Sequence, residues 1–153
     1  MLGEAYYHTR NYRKCIETLK KVEQQGAEGE GTLYFMARSY KNLNDQAKAI
    51  EYFTSTIKAA ISPNVGNYYT ELGDSREKLN QNKSALASYL KSLAFEKNSF
   101  TYYIIANLYD QKLNDKTRAK LFFRKFIKSA TAEKLVGKQY MDYAQSRIAE
   151  LTK

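Results

Sequence analysis

Proline and cysteine each occur once in 153 residues, and glycine occurs only 7 times. Each shortage excludes something. With so few residues suited to tight turns, a fold of many short strands is disfavoured and long uninterrupted helices are permitted. A single cysteine, Cys15, rules out an internal disulfide framework and fits a reducing or an oxidising compartment equally well. Acid is scarce too. Sixteen Asp and Glu face 25 Lys and Arg, and the resulting net charge of +9 brings acidic proteins, nucleic acid and anionic surfaces into consideration as partners. Apolar runs such as Tyr102 to Ala106 are short. They fall far below the roughly 20 residues needed to cross a bilayer, so no transmembrane segment is expected. The N-terminus carries no stretch of signal-peptide type. The expected chain is soluble, cytoplasmic or, if a leader was removed, periplasmic or otherwise extracytoplasmic.

What is abundant is ring and aliphatic surface: 43% of the residues are hydrophobic, with 14 Tyr and 7 Phe. That is enough to bury a continuous core in one domain of this length. The distribution is periodic. The segments Asn11 to Ile16, Asp45 to Ile50, Gln81 to Leu86 and Asp115 to Lys120 align, with small residues Cys15, Ala49, Ala85 and Ala119 spaced by 34, 36 and 34. A large residue follows each small one four places later, at Leu19, Phe53, Tyr89 and Phe123. Residues at i and i+4 share a helical face, and an Asn or Asp ahead of the run can cap the helix start. The turns Leu43-Asn44, Leu79-Asn80 and Leu113-Asn114 precede the last three segments.

A second helix precedes each of these turns. Leu33, Met36, Ala37 and Tyr40 stand at i, i+3, i+4 and i+7, matched by Tyr69, Leu72, Gly73 and Arg76 and then by Tyr102, Ile105, Ala106 and Tyr109. The last of these helices has one extra residue before its turn. In the first unit only Gly3 and Tyr6 remain. The pattern predicts helices near 3–9, 12–25, 30–43, 46–60, 65–79, 82–96, 99–112, 115–130 and 132–151, the last carrying Leu135, Tyr140, Tyr143, Ala144, Ile148 and Leu151. Gln24 to Glu30 reads as a flexible loop, and Ser62-Pro63-Asn64 as a break, because proline disfavours helix at the residue before it. The shortened first helix predicts incomplete cover for Leu19 and Val22, hence an N-terminal edge that contacts another subunit or belongs to a larger repeat protein.

These units resemble the tetratricopeptide repeat family, whose repeat of about 34 residues is a helix-turn-helix with a small residue in each helix. The resemblance runs from Gly3 to Thr131. It implies an all-α fold, a right-handed superhelix of antiparallel helix pairs with a solvating C-terminal helix. It also implies one domain over 1–153, with a partial repeat at 3–29, repeats at about 30–63, 64–98 and 99–131, and an end helix at 132–151. Arg76 departs from the family pattern, where a large apolar residue is usual.

Catalytic chemistry needs converging reactive groups, and the sequence offers none. His8 is the only histidine and reads as a surface residue, while Cys15 holds a core position. No Cys, His or carboxylate set has metal-ligand spacing, so neither a metal nor a cofactor is expected. The Gln-Gly-Ala-Glu-Gly-Glu-Gly stretch lacks the lysine and hydroxyl of a phosphate loop. Glu71, Asp74 and Glu77 read as a solvated or partner-facing acidic surface.

The resemblance instead implies a non-catalytic scaffold for a protein or peptide partner, with the first helix of each unit lining a concave groove. Tyr7, Tyr34, Phe35, Arg38, Lys41, Asn42, Glu71, Asp74, Glu77, Tyr103, Asn107 and Asp110 are its candidate binding residues. Rings would anchor the partner and charges would orient it. Asp74 and Glu77 argue against a carboxylate clamp. The alternative surface is Lys112, Lys116, Arg118, Lys120, Arg124, Lys125 and Lys128, opposed only by Asp115, which suits nucleic-acid phosphates or an anionic membrane. No series of exposed rings accompanies it as a stacking platform, which makes nucleic acid the weaker of the two readings.

Overall fold

Helix punctuation fixes the architecture. The computed structural model describes residues 2–133 and 137–152, and every regular element among them is helical. The helices are α1 (Leu2–His8), α2 (Tyr12–Gln24), α3 (Glu30–Asn42), α4 (Gln46–Ala59), α5 (Val65–Lys78), α6 (Asn82–Phe95), α7 (Ser99–Asn107), α8 (Lys116–Glu133) and α9 (Lys138–Glu150). They form two compact units, Met1–Ser88 and Tyr89–Lys153, whose boundary falls inside α6.

The turns inside the repeats share one construction. Arg10, Asn44, Asn80 and Asn114 adopt left-handed backbone, with φ of 59°, 64°, 57° and 52°. Asparagine tolerates this conformation better than other residues with a side chain, which is why the Leu-Asn pair recurs. The next residue then caps the following helix. Asn11, Asp45 and Asp115 accept from the amides of Lys14, Lys48 and Arg118 at 3.5, 3.1 and 2.9 Å. Asn98 does the same for α7, accepting from Phe100 and Thr101.

The periodic positions make the core. Cys15, Ala49, Ala85 and Ala119 are wholly buried, and Leu19, Phe53, Tyr89 and Phe123 lie one turn further along, also buried. In the first unit Met36, Ala37, Tyr40 and Leu72 join them, with Tyr40 stacked on Tyr52 at 5.3 Å. In the second, Ile105, Ala106, Tyr109, Phe122, Phe126 and Ala144 are buried, with Tyr109 and Phe122 in ring contact at 5.6 Å. Arg76, at the repeat position where Tyr40 and Tyr109 stand, stays half-buried and donates to the Ser88 hydroxyl (2.7 Å) and the Ser84 carbonyl (3.3 Å).

Three local expectations need correction. Leu19 is fully covered, because Gly3 lets α1 close over it: a β-carbon at Gly3 would stand 2.3 Å from a Leu19 methyl. Only Val22 of that pair keeps partial exposure. Second, the extra residue before the fourth turn does not extend an α-helix. It is absorbed by a π-helical turn at Leu108–Lys112, with the Leu113 amide bonded to the Leu108 carbonyl at 3.0 Å. That wider turn lets Tyr109 remain buried while Asn114 still makes the left-handed turn. Third, α8 runs on to Glu133, its buried face extended by Ala130, and the last helix starts at Lys138 after Gly137 rather than at 132. Leu135, assigned to that helix from the sequence, lies outside the described residues.

Candidate functional site

In the first unit, α1, α3 and α5 bring most of the expected binding residues onto one another. Tyr7, Tyr34 and Phe35 form a run of rings, with centroids 5.3 Å apart for Tyr7–Phe35 and 5.6 Å for Tyr34–Phe35. Tyr34 also packs on Tyr68 at 5.0 Å. These side chains are half-buried, so part of each ring stays available while its rotamer is held by neighbours. Arg38 lies over the faces of Tyr7 and Tyr34, at 5.7 and 5.8 Å. One of its nitrogens donates to the Tyr34 hydroxyl (3.1 Å) and to Glu71 Oε1 (2.7 Å).

Charge then passes from α3 to α5. Lys41 Nζ binds Glu71 and, at 2.6 Å, Asp74, which also takes Lys78 at 3.2 Å. Burial pulls Lys41 down, but the hydrogen bonds it donates to Asp74 and Glu71 outweigh it and leave the ammonium above its ordinary value. For Asp74, burial pushes up and Lys41 and Lys78 pull down harder, so its carboxyl lies below the usual range. Arg38 follows the same logic: burial works against the guanidinium and the charge of Glu71 prevails. Arg38, Lys41 and Asp74 are therefore each held in the charged form near neutral pH. Asn42 is exposed and donates to the Arg38 carbonyl at 2.7 Å. Glu77 is half-buried on α5, with interactions of its own.

The residues expected from the fourth repeat have a different setting. Tyr103 sits among Phe126 (5.1 Å), Tyr140 (5.3 Å) and Tyr143 (6.0 Å). Burial pushes its hydroxyl pKa up. Asn107 donates to the Tyr103 carbonyl and accepts from Gln111. Asp110, within the π turn, is held bidentately by Arg147 of α9 at 2.8 and 2.9 Å, and its side chain is only 5% exposed. Arg147, Tyr140 and Tyr143 were not singled out as site residues from the sequence. Their spacing over 140, 143 and 147 places them on one helical face, which was the available signal.

Glu30 was also missed. As the first residue of α3 it accepts from the Ile61 and Ser62 amides (3.0 and 3.2 Å), the Ser62 hydroxyl and the Tyr68 hydroxyl (2.5 Å). It thereby fixes the break before α5 from a position that reads as the end of a loop.

On α8, Lys116, Arg118, Arg124, Lys125 and Lys128 are exposed, Lys120 is half-buried, and Lys112 is exposed on the π turn. Asp115 offsets one of these charges, pairing with Arg118 at 3.4 Å. Among the described residues there is no group of three or more His, Cys, Asp or Glu that could hold a metal ion, and no helix long and apolar enough to cross a membrane.

Comparison with known proteins bears on the fold. The tetratricopeptide repeat model matches residues 31–60 and 101–132. No curated protein sequence matches the chain. A crystal structure of MamA superposes with a TM-score of 0.75 at 17% identity, covering 99% of this chain and 93% of that one. PcrH from Pseudomonas aeruginosa gives 0.67 at 18% identity, covering 81% and 92%. Nearly identical TPR-like repeats attributed to a Podosopora anserina kinesin light chain give 0.70 at 13% identity, covering 98% and 82%. At these identities the likeness shows the fold alone.

Proposed function

We propose that this chain, which carries tetratricopeptide repeats, is a non-catalytic scaffold whose first unit takes up a peptide or helical segment of another protein. One observation carries the reading: Tyr7 of α1 and Tyr34, Phe35, Arg38 and Lys41 of α3 form one face of held rings beside a network of ion pairs. Held rings lose little rotamer freedom on binding, so their burial goes largely into affinity. Glu71 and Asp74 serve this face by orienting Arg38 and Lys41, with Asn42 and Glu77 at its polar margin. In the second unit Tyr103 and Asn107 are the residues offered to a partner, while Asp110 acts through its pairing with Arg147.

The basic face of α8 supports a second reading, anionic-surface or nucleic-acid binding, because its exposed cations outnumber the one acid that opposes them. A photo-crosslinking amino acid placed at Asn42 in one variant and at Arg124 in another separates the two. Crosslinks to one polypeptide from position 42, lost in Tyr34→Ala and reduced in Phe35→Ala, are the expected result. Crosslinks confined to position 124 would refute the ring face as the binding surface and favour the basic one.

A further inference from the structure

An open surface pocket of about 380 Å³ lies in the second unit, lined by Lys97, Tyr102, Lys125, Lys128, Ser129 and Ala132. Its volume falls in the range of small-molecule sites. Positions 125, 128, 129 and 132 share one face of α8, Tyr102 comes from α7, and Lys97 comes from the segment just before α7. Three lysines thus line one space, and no carboxylate is among the described residues that line it. Lys125 is held with its nitrogen 4.7 Å over the Phe122 ring, so that charge is positioned rather than free to sweep. Tyr102 and Ala132 supply an apolar wall.

The geometry points to a binding site for a phosphomonoester dianion carried on an aromatic or similarly apolar group. Three lysines lining one space oversupply a lone carboxylate but suit a tetrahedral dianion with three oxygens to share among them. Lysine suits this better than a planar carboxylate, since an ammonium has no fork to match two coplanar oxygens. The wall formed by Tyr102 is placed to cover the group that bears the phosphate. The site shares no residue with the ring face of the first unit, so the failure of either leaves the other untouched.

Phenyl phosphate is the first probe, titrated calorimetrically and followed by amide chemical shifts in the intact chain. The expected result is saturable one-to-one binding, at least tenfold tighter than for benzenesulfonate, which has the same ring and one charge. Lys97→Gln and Lys128→Gln should each weaken binding about three- to tenfold while leaving the thermal midpoint unchanged, since both side chains are exposed. Lys116→Gln, outside the cavity, should change affinity by less than twofold. A phosphotyrosine peptide that binds more tightly than phenyl phosphate places the ligand on a protein; equal affinity places it on a small molecule, and both support the site. The proposal is overturned if phenyl phosphate shows no saturation at millimolar concentration or if benzenesulfonate binds as well. It is equally overturned if Lys116→Gln weakens binding as much as the cavity variants. Duplex DNA binding that strengthens with length and ignores the cavity variants would replace it with a diffuse nucleic-acid face.

Discussion

Replacing Arg147 with Met removes the partner of a carboxylate that is only 5% exposed, while Arg147 itself is 29% exposed. Breaking a deeply buried pair costs about 3–5 kcal/mol, whereas losing a surface pair costs about 0.2–1 kcal/mol. The bidentate geometry and the hidden Asp110 place this pair between those limits, at about 2 kcal/mol. Thermal unfolding followed by circular dichroism should then show the midpoint fall by about 4–8 °C. Arg147 also binds Glu150, so the single variant overstates the Asp110 contribution. A double-mutant cycle with Asp110→Asn isolates it, and a coupling energy of about 1.5 kcal/mol is expected. Arg147→Lys keeps the charge but loses the fork, and should recover less than half of the stability. If the two substitutions add to within about 0.5 kcal/mol, Asp110 is not held by Arg147 in the way described, and it returns to the set of residues free to meet a partner.

Arg10→Asn should raise the thermal midpoint by about 1–4 °C, because Asn fits the left-handed turn that Arg10 occupies at φ 59°, worth about 0.5–1 kcal/mol. An unchanged or lowered midpoint would show that this turn is unstrained. Glu30→Gln should cost about 1 kcal/mol near pH 7, since the amide cannot accept from all four of its donors. Hydrogen bonds from Ser62, then Tyr68, hold the Glu30 carboxyl below its usual range. Its contribution is therefore complete above the unfolded value of about 4.3 and is lost as pH falls through the lower folded value. The stability difference between parent and variant, measured by urea unfolding from pH 6 to pH 3, should shrink with acid; a constant difference would contradict the assignment.

The fold was legible because its information is local and repeated. A small residue four places before a large one, after Asn in a left-handed turn, carries helix face, packing distance and turn geometry together, and it recurs at Ala49, Ala85 and Ala119. Even the extra residue ahead of Asn114 was visible as a count. Its outcome was not, because a count does not distinguish one more residue of α-helix from a π turn; what decides is that Tyr109 and Asn114 must both keep their places.

The site was legible by position and not by partner. Helical spacing assigns Tyr7, Tyr34, Arg38 and Lys41 to their helices, but it cannot say that Arg38 would lie over two rings or that Glu71 would be shared by two cations. Those facts depend on residues some thirty positions apart. The same distance hid the roles of Glu30 and Arg147, whose partners stand across a loop or a whole helix pair. Asp110 shows the consequence. As a charged residue in a groove helix it reads as a ligand contact, until α9, two helices on, supplies the guanidinium that pairs with it. In a chain of repeats, each unit's exposed polar face is the next unit's candidate interface, so an acid in a first helix becomes a binding residue only where no cation from the following unit reaches it.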